Sequence, residues 1–70
     1  MGDFPSTKAK QVLAALLRIV WNIKRQSGSH KILFKYGWKD HIFAYHDSQE
    51  VGPDMLKKIS KKTGLKPEDL

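Results

Sequence analysis

The sequence predicts a small α+β domain in which two amphipathic helices flank a three-stranded antiparallel sheet. Apolar residues recur at helical spacing near both ends of the chain. The central segment instead alternates apolar and polar residues in short runs that turns separate. The resulting order is α-β-β-β-α, and it buries its apolar stripes when both helices pack on one face of the sheet. The other sheet face is then free for a ligand.

The first helix is predicted over residues 6–18. Ser6 or Thr7 can cap it, because either hydroxyl can accept a hydrogen bond from an unpaired backbone N–H of the first turn. The apolar positions of this segment are Ala9, Val12, Leu13, Leu16, Leu17 and Val20. Residues 1–5 are interpreted as a disordered leader, which assigns the single domain to residues 6–70.

Three strands are predicted in the middle of the chain. Their predicted bounds are residues 21–26, 30–36 and 41–46. Gly28 permits a tight turn with positive φ between the first two strands. Residues 36–40 are typical of a hairpin loop, and residues 47–51 are predicted to form a polar loop.

The second helix is predicted to open at Gly52-Pro53-Asp54. Proline suits the first helical turn, and Asp54 complements the positive end of the helix dipole. Its predicted inner face consists of Met55, Leu56 and Ile59, and its outer face of Lys57, Lys58, Lys61 and Lys62. Gly64 is expected to end it as a left-handed cap, Leu65 to pack back into the core, and residues 66–70 to start another turn.

Composition narrows the choice of partner and compartment. The net charge is +6 and the isoelectric point about 9.8, which favours a polyanionic partner, either a nucleic acid or an acidic protein. The chain has no cysteine, so it has neither disulfides nor a thiolate metal site. Secreted domains of this size usually need disulfides, and a cytoplasmic location is therefore predicted. No apolar run is long enough to span a membrane, and no membrane partner is predicted.

The tripeptide Gly28-Ser29-His30 is the strongest candidate for chemistry. His30 begins a predicted strand on a flexible approach and close to Lys24 and Arg25. Histidine both takes and gives protons near neutral pH, which suits a proton-transfer group acting on a phosphate. The alternative is a histidine that merely occupies a turn.

Several motifs occur in a specific order over residues 7–70. They are Leu16-Leu17-Arg18, Trp21, Arg25, Gly28-Ser29-His30, Phe34, Tyr45-His46, Thr63-Gly64-Leu65 and Pro67-Glu68-Asp69-Leu70. Together with the element order, they resemble the HicA family of bacterial toxins, small RNases with a double-stranded-RNA-binding-domain-like fold. Two positions depart from the family pattern. Val20 stands where the family usually has glycine, and Ala44 stands where it tends to have proline.

The resemblance implies a function and a partner. It places the catalytic histidine at His30 and implies a type II toxin that cleaves mRNA without the ribosome. It also implies single-stranded RNA as substrate and an antitoxin of the HicB type as partner. The net charge of +6 predicts that this partner is acidic where it docks.

RNA cleavage of this kind uses the 2′-hydroxyl of the substrate as nucleophile. The enzyme then needs a base, an acid and cations for the phosphate charge, without a metal or other cofactor. His30 fills one proton-transfer role, and His46 or a water fills the other. The candidate RNA-binding residues are Lys24, Arg25, Ser29, Lys31 and Lys35.

Other interpretations stay open at this point. A non-catalytic RNA-binding module, similar to a double-stranded-RNA-binding domain, and a basic scaffold for an acidic protein both fit the charge. The lysines of the second helix either clamp phosphates or form an ordinary solvated face. Packing within the hairpin is favoured over base stacking for Tyr36 and Trp38. For His41 a solvated side chain is favoured.

Overall fold

The chain alternates between helical and extended segments in the computed structural model, which describes residues 4–70. In chain order the elements are β1 (Thr7–Lys8), α1 (Ala9–Arg18), β2 (Asn22–Ser27), β3 (His30–Phe34), β4 (His41–Ala44), β5 (Glu50–Val51), α2 (Pro53–Thr63) and a 3-10 turn (Pro67–Asp69). The predicted α-β-β-β-α order is confirmed. Neither helix in this part of the chain has the length and apolar character needed to cross a bilayer.

Strands β2, β3 and β4 form an antiparallel sheet in that order. A two-residue turn joins β2 to β3, and its first residue, Gly28, has φ of 58°. Positive φ at this position belongs to a type II′ turn, which matches the twist of the strands it joins. The predicted second and third strands are each two residues too long. Their ladder runs only from His30 opposite Ala44 to Leu33 opposite His41, so residues beyond Ala44 have no partner in β3.

Both helices cover one face of this sheet. Leu33 of β3 and Phe43 of β4 lie on that face and are fully buried. They share one core with the buried positions of the helices, which include Val12, Ala15 and Leu16 of α1 and Leu56 and Ile59 of α2. The opposite face has no helix over it, and Phe34 and Ile42 on it are 42% and 62% exposed. The prediction of one covered and one free face is therefore confirmed.

A two-stranded ribbon at the N-terminal side was not predicted. Thr7 pairs with Val51 and Lys8 with Glu50, so β1 and β5 hold the two helix starts together. As a result α1 begins at Ala9 rather than at residue 6, and residues 50–51 are strand rather than loop. The predicted hydroxyl cap is also absent from α1. Thr7 Oγ1 donates to the Pro5 carbonyl, at 2.8 Å, instead.

Helix α1 ends in a left-handed turn at Val20, whose φ is 79°. The Val20 N–H donates to the Leu17 carbonyl at 3.2 Å, and the Trp21 N–H donates to the Leu16 carbonyl at 3.1 Å. These two bonds define a Schellman motif, in which the left-handed position is usually glycine. The turn directs Trp21 into the core, where it is buried.

Helix α2 follows the prediction closely. Pro53 begins it, and Gly64 caps it with φ of 78°. Leu65 is fully buried, as expected, and the last residues form the 3-10 turn. Met55 is the exception: it was assigned to the inner face but is 42% exposed. The end of α2 is tied to the start of the sheet, because Trp21 Nε1 donates to the Thr63 carbonyl at 3.1 Å.

The structure describes only part of the predicted leader, residues 1–5. Residues 1–3 lie outside the described part of the chain. Phe4, which was also assigned to the leader, is buried in the core. An aromatic side chain gains free energy when it leaves water, and the packed unit therefore includes Phe4.

Candidate functional site

The helix-free side of the sheet, here called the open face, presents His30, Ile32 and Phe34 of β3. Alternation along β3 places these side chains opposite to the buried Lys31 and Leu33. Residues directly opposite on neighbouring strands share a face, so Ser27, Ile42 and Ala44 belong to the open face as well.

A β-bulge places Arg25 on the open face. Ile23 pairs with Leu33, whereas Arg25 pairs with Ile32, so Lys24 is the extra residue in β2. Without the bulge, the register would put Lys24 opposite Ile32 and Arg25 opposite the buried Lys31. Bulges often re-aim side chains next to functional sites. Here the bulge brings a guanidinium onto the same face as His30.

His30 is the first residue of β3 and its side chain is exposed on the open face. Its strand neighbours are Ser27 and Ala44, both small, so its surroundings leave room for a ligand. Within residues 4–70 its imidazole makes no side-chain hydrogen bond. A histidine in this state is available to accept or donate a proton at a bound group.

The second candidate histidine, His46, contacts the turn beside His30 rather than His30 itself. Ser29 Oγ lies 2.9 Å from His46 Nδ1 and 3.3 Å from Nε2. Both residues line a shallow cavity of about 360 Å³ together with Lys31 and Gln26. This set is called the turn cavity below. Gln26 was not singled out from the sequence, because nothing in its spacing distinguishes it from an ordinary strand residue.

Lys31 and Lys35 are less accessible than expected for RNA-binding residues. Lys31 is 8% exposed, because β3 turns its side chain toward the helix-covered side at the wall of the turn cavity. Lys35 lies past the other end of β3, where its Nζ is 5.3 Å from the centre of the Trp38 ring. This distance is within the range of a cation–π contact.

Lys24 forms an ion pair with Asp40 of the same chain. Its Nζ lies 3.0 Å from a carboxylate oxygen of Asp40, in the loop between β3 and β4. The predicted RNA-binding residues therefore do not form one continuous cluster around His30. Arg25 shares its face, Ser29 and Lys31 flank the turn cavity, and Lys24 and Lys35 make contacts with the β3–β4 loop.

Three further aromatic residues differ in their surroundings. Trp38 packs edge-on against Trp21, with ring centres 6.0 Å apart, so it packs against the residue before β2 rather than within the hairpin. Tyr36 is 92% exposed, so the prediction of packing within the hairpin is wrong for Tyr36.

His41 is half-buried, although a solvated side chain is predicted, because its position opposite Leu33 turns it toward the helices. Burial, with a further contribution from nearby Lys62, lowers the pKa of His41 below 6.5.

Among residues 4–70, no three histidine, cysteine, aspartate or glutamate side chains lie close enough together to hold a metal ion.

Comparison with known proteins identifies a family whose model matches this chain. The family model described as HicA toxin of bacterial toxin-antitoxin matches residues 9–65. The comparisons with curated proteins and with solved structures each gave no match. The family match runs from the first residue of α1 to Leu65 and includes the whole three-stranded sheet and both helices. The chain therefore belongs to the HicA family, the toxins of bacterial toxin–antitoxin systems.

Proposed function

We propose that this toxin is an endoribonuclease that cleaves mRNA independently of the ribosome. The observation that carries the proposal is the position of His30, exposed at the start of β3 on the sheet face that the helices leave open. The family supports a toxic activity of the nuclease type. Cleavage of mRNA requires the protein to act in the cytoplasm.

The proposed reaction uses the RNA's own 2′-hydroxyl as nucleophile. A base removes its proton, the oxygen attacks the adjacent phosphorus, and the 5′-oxygen leaves as it takes a proton from an acid. His30 performs one of these two transfers. Arg25, on the same face, supplies positive charge for the developing negative charge on the phosphate. The products are a cyclic or 3′-phosphate and a free 5′-hydroxyl, and no metal ion takes part.

His46 is proposed for the second proton transfer. Its contact with Ser29 holds it at the same end of the sheet as His30, since Ser29 precedes His30 in the turn. Ser29 and Lys31 would then bind a phosphate or sugar at the edge of the turn cavity. Lys24 and Lys35 are proposed to contact the RNA backbone farther from the reacting phosphate.

The partner proposed for this toxin is an acidic antitoxin of the HicB type. A toxin–antitoxin system contains an antitoxin, and a positively charged toxin favours one with carboxylates at its docking surface. Cover of His30 would prevent RNA from reaching it.

The decisive experiment compares the variants His30→Ala and His46→Ala with the wild type on single-stranded RNA. We expect His30→Ala to lower the cleavage rate by about 10²- to 10⁴-fold, the usual contribution of a general acid or base. His46→Ala should lower it too and remove one limb of the pH–rate profile. Unfolding curves and RNA affinity of each variant serve as controls for fold and binding. Wild-type cleavage by His30→Ala would disprove the assignment.

The nucleophile is tested with a substrate that has one 2′-deoxy residue at the cleaved position. That substrate should resist cleavage, whereas excess chelator should leave the all-RNA substrate as reactive as before. A requirement for magnesium would exclude the mechanism.

A non-catalytic RNA-binding module is the alternative function. The lysines of α2 favour it, because all four are exposed and could follow phosphates without any chemistry; they are Lys57, Lys58, Lys61 and Lys62. Tight RNA binding by a wild-type protein that leaves the strand intact would establish this alternative.

A further inference from the structure

A second cleft lies at the opposite end of the sheet from the His30 turn. It opens between the β3–β4 loop and the last turn of α2 and has a volume of about 470 Å³. Its lining includes Trp38, Lys39, Asp40, His41, Lys61 and Lys62. We call it the tryptophan cleft. None of the residues proposed for RNA cleavage lines it, and its Lys61 and Lys62 belong to the exposed lysines of α2.

The charges around this cleft favour an anion. Lys39, Lys61 and Lys62 each contribute a cation to the lining. The one carboxylate in the lining, that of Asp40, is 3.0 Å from Lys24 Nζ, so its negative charge is largely offset. Clefts lined by charges of one sign concentrate ligands of the opposite sign.

The imidazole of His41 forms part of the wall of this cleft. Its Nε2 is buried and has no hydrogen-bond partner among the described residues. Its ring lies edge-on to Trp21, at 6.4 Å between centres, and Lys62 of α2 lies near it. Buried polar atoms without a partner are rare in folded proteins, and a functional role or a bound ion or water are among their explanations. A phosphate bound in the cleft would offset the positive charge of its lysines.

The exposed ring of Trp38 favours a nucleic acid, rather than a free phosphate ion, as the ligand of the cleft. Its indole is 42% exposed, and a lysine ammonium lies over its ring. Aromatic surface beside cations is the usual platform for single-stranded RNA. Five residues of β3 separate the two ends of the sheet, which places the cleft on the order of 13 Å or more from His30.

We propose that the tryptophan cleft is a second phosphate-binding site, which holds a backbone phosphate of the RNA strand away from the phosphate cleaved at His30. This inference rests on the proposed ribonuclease function. The cleft then contributes to RNA affinity and to KM but not to the chemical step. A dinucleotide, which is too short to reach both places, should gain nothing from it.

The main experiment removes charge inside the cleft and, as a matched control, outside it. Lys61→Ala/Lys62→Ala and Lys10→Ala/Lys57→Ala each remove two exposed helical lysines, but only the first pair lines the cleft. RNA affinity is measured in the His30→Ala background, so that the strand stays intact. We expect the cleft pair to weaken binding of a long strand by about tenfold or more and the control pair to weaken it clearly less.

The same pairs are tested in the cleavage-competent protein. The cleft pair should raise KM for a long strand and leave kcat, and cleavage of a dinucleotide, unchanged. Equal losses of RNA affinity from both pairs would show that only net charge matters and would overturn the proposal. Cleavage of RNA by the wild-type protein would still support the ribonuclease function in that case. If the wild type binds RNA without cleaving it, the ribonuclease function fails, and the affinity comparison still decides the cleft.

The imidazole of His41 gives an independent readout by NMR. The groups that face it are Lys62 and Lys61 from α2, Asp40 and Lys39 from the loop, and the rings of Trp21 and Trp38. Bound RNA should shift its resonances and raise its pKa, and the effect should disappear in Lys61→Ala/Lys62→Ala. A shift with inorganic phosphate but not with RNA would reassign the cleft to a small free anion. A shift with the antitoxin alone would reassign it to a protein. Either result overturns the proposal.

Discussion

Two histidines on neighbouring strands have opposite surroundings. His30 is exposed on the open face of the sheet. His41 is half-buried beside Trp21 and near Lys62. Strand alternation alone separates them, because His30 pairs with Ala44 on one face and His41 pairs with Leu33 on the other. The same residue type therefore has different surroundings at the two ends of the β3–β4 ladder.

The lowered pKa of His41 predicts how stability depends on pH. The unfolded chain binds a proton at His41 near pH 6.5, whereas the folded chain binds it only at lower pH. The part of the folding stability that comes from keeping His41 neutral is therefore fully present above pH 6.5. It is lost as the pH falls from 6.5 through the lowered pKa of His41. Urea unfolding at a series of pH values should show this loss. In His41→Phe the pH dependence in this window should be shallower, and an unchanged slope would contradict the assignment.

Val20 stores strain at the end of α1. A left-handed backbone costs a residue other than glycine about 1–2 kcal/mol, and Val20 is 66% exposed, so little packing offsets this cost. Glycine also makes the unfolded chain more flexible, which costs about 0.4–1 kcal/mol. Val20→Gly should therefore stabilise the protein by roughly 0.5–1 kcal/mol in urea unfolding. Ala14→Gly, in the exposed interior of α1, should instead destabilise it by about 1 kcal/mol.

Among the structural elements, a turn and a β-bulge determine which side chains the strands place on the open face. The Gly28 turn sets the β2–β3 register from Ser27 opposite His30, and the bulge at Lys24 shifts it so that Arg25 faces outward. The β1–β5 ribbon holds the starts of the two helices together at the other side of the fold. Short connections of this kind determine which side chains reach the open face.

Three glycine-to-alanine variants should differ in cost according to backbone angle and space. Gly28→Ala meets no neighbouring atom, but its φ of 58° should cost about 1 kcal/mol and slow cleavage, since the turn positions His30. Gly64→Ala should cost more, because its β-carbon would lie 3.2 Å from the Trp38 ring at a φ of 78°. Gly52→Ala, with φ of −76° and open space, should stay within about 0.5 kcal/mol of the wild type. Urea unfolding ranks all three, and a different order would contradict this account.

The molecule as a whole carries its excess positive charge on more than one surface. Arg25 lies on the open face, Lys31 at the turn cavity, and the lysines of α2 on the other side of the fold. A partner that covers only one surface therefore leaves positive charge elsewhere. Affinity for RNA should depend strongly on salt, with a slope of about −0.7 per phosphate neutralised.

Inhibition by the antitoxin is predicted to be steric. An acidic HicB-type partner that docks over Arg25 and His30 should abolish cleavage at equal molarity and compete with RNA for the open face. Encounter should slow as salt rises, because opposite charges attract the partners. Competition binding with labelled RNA measures this directly. RNA that stays bound to the open face at full affinity in a ternary complex would rule out inhibition by occlusion.

Local sequence determined the two helices, the three strands of the main sheet and the family of this protein. Periodicities of 3.6 and 2 residues, Gly28 at a turn, and Pro53 and Gly64 at the ends of α2 each depend on neighbours close in the chain. The same local motifs, in order, identified the HicA family, which the family match confirms. The choice of His30 as catalytic residue also came from sequence and stays a prediction.

Only the tertiary structure decided how distant segments meet. The pairing of Thr7–Lys8 with Glu50–Val51 involves strands of two residues, too short to show a period. The bulge at Lys24, the contact of His46 with Ser29 and the ion pair of Lys24 with Asp40 each depend on register between strands. The burial of Phe4 and His41 depends on what packs over them. Such contacts are set by free energies summed over the whole core, which no short window of sequence contains.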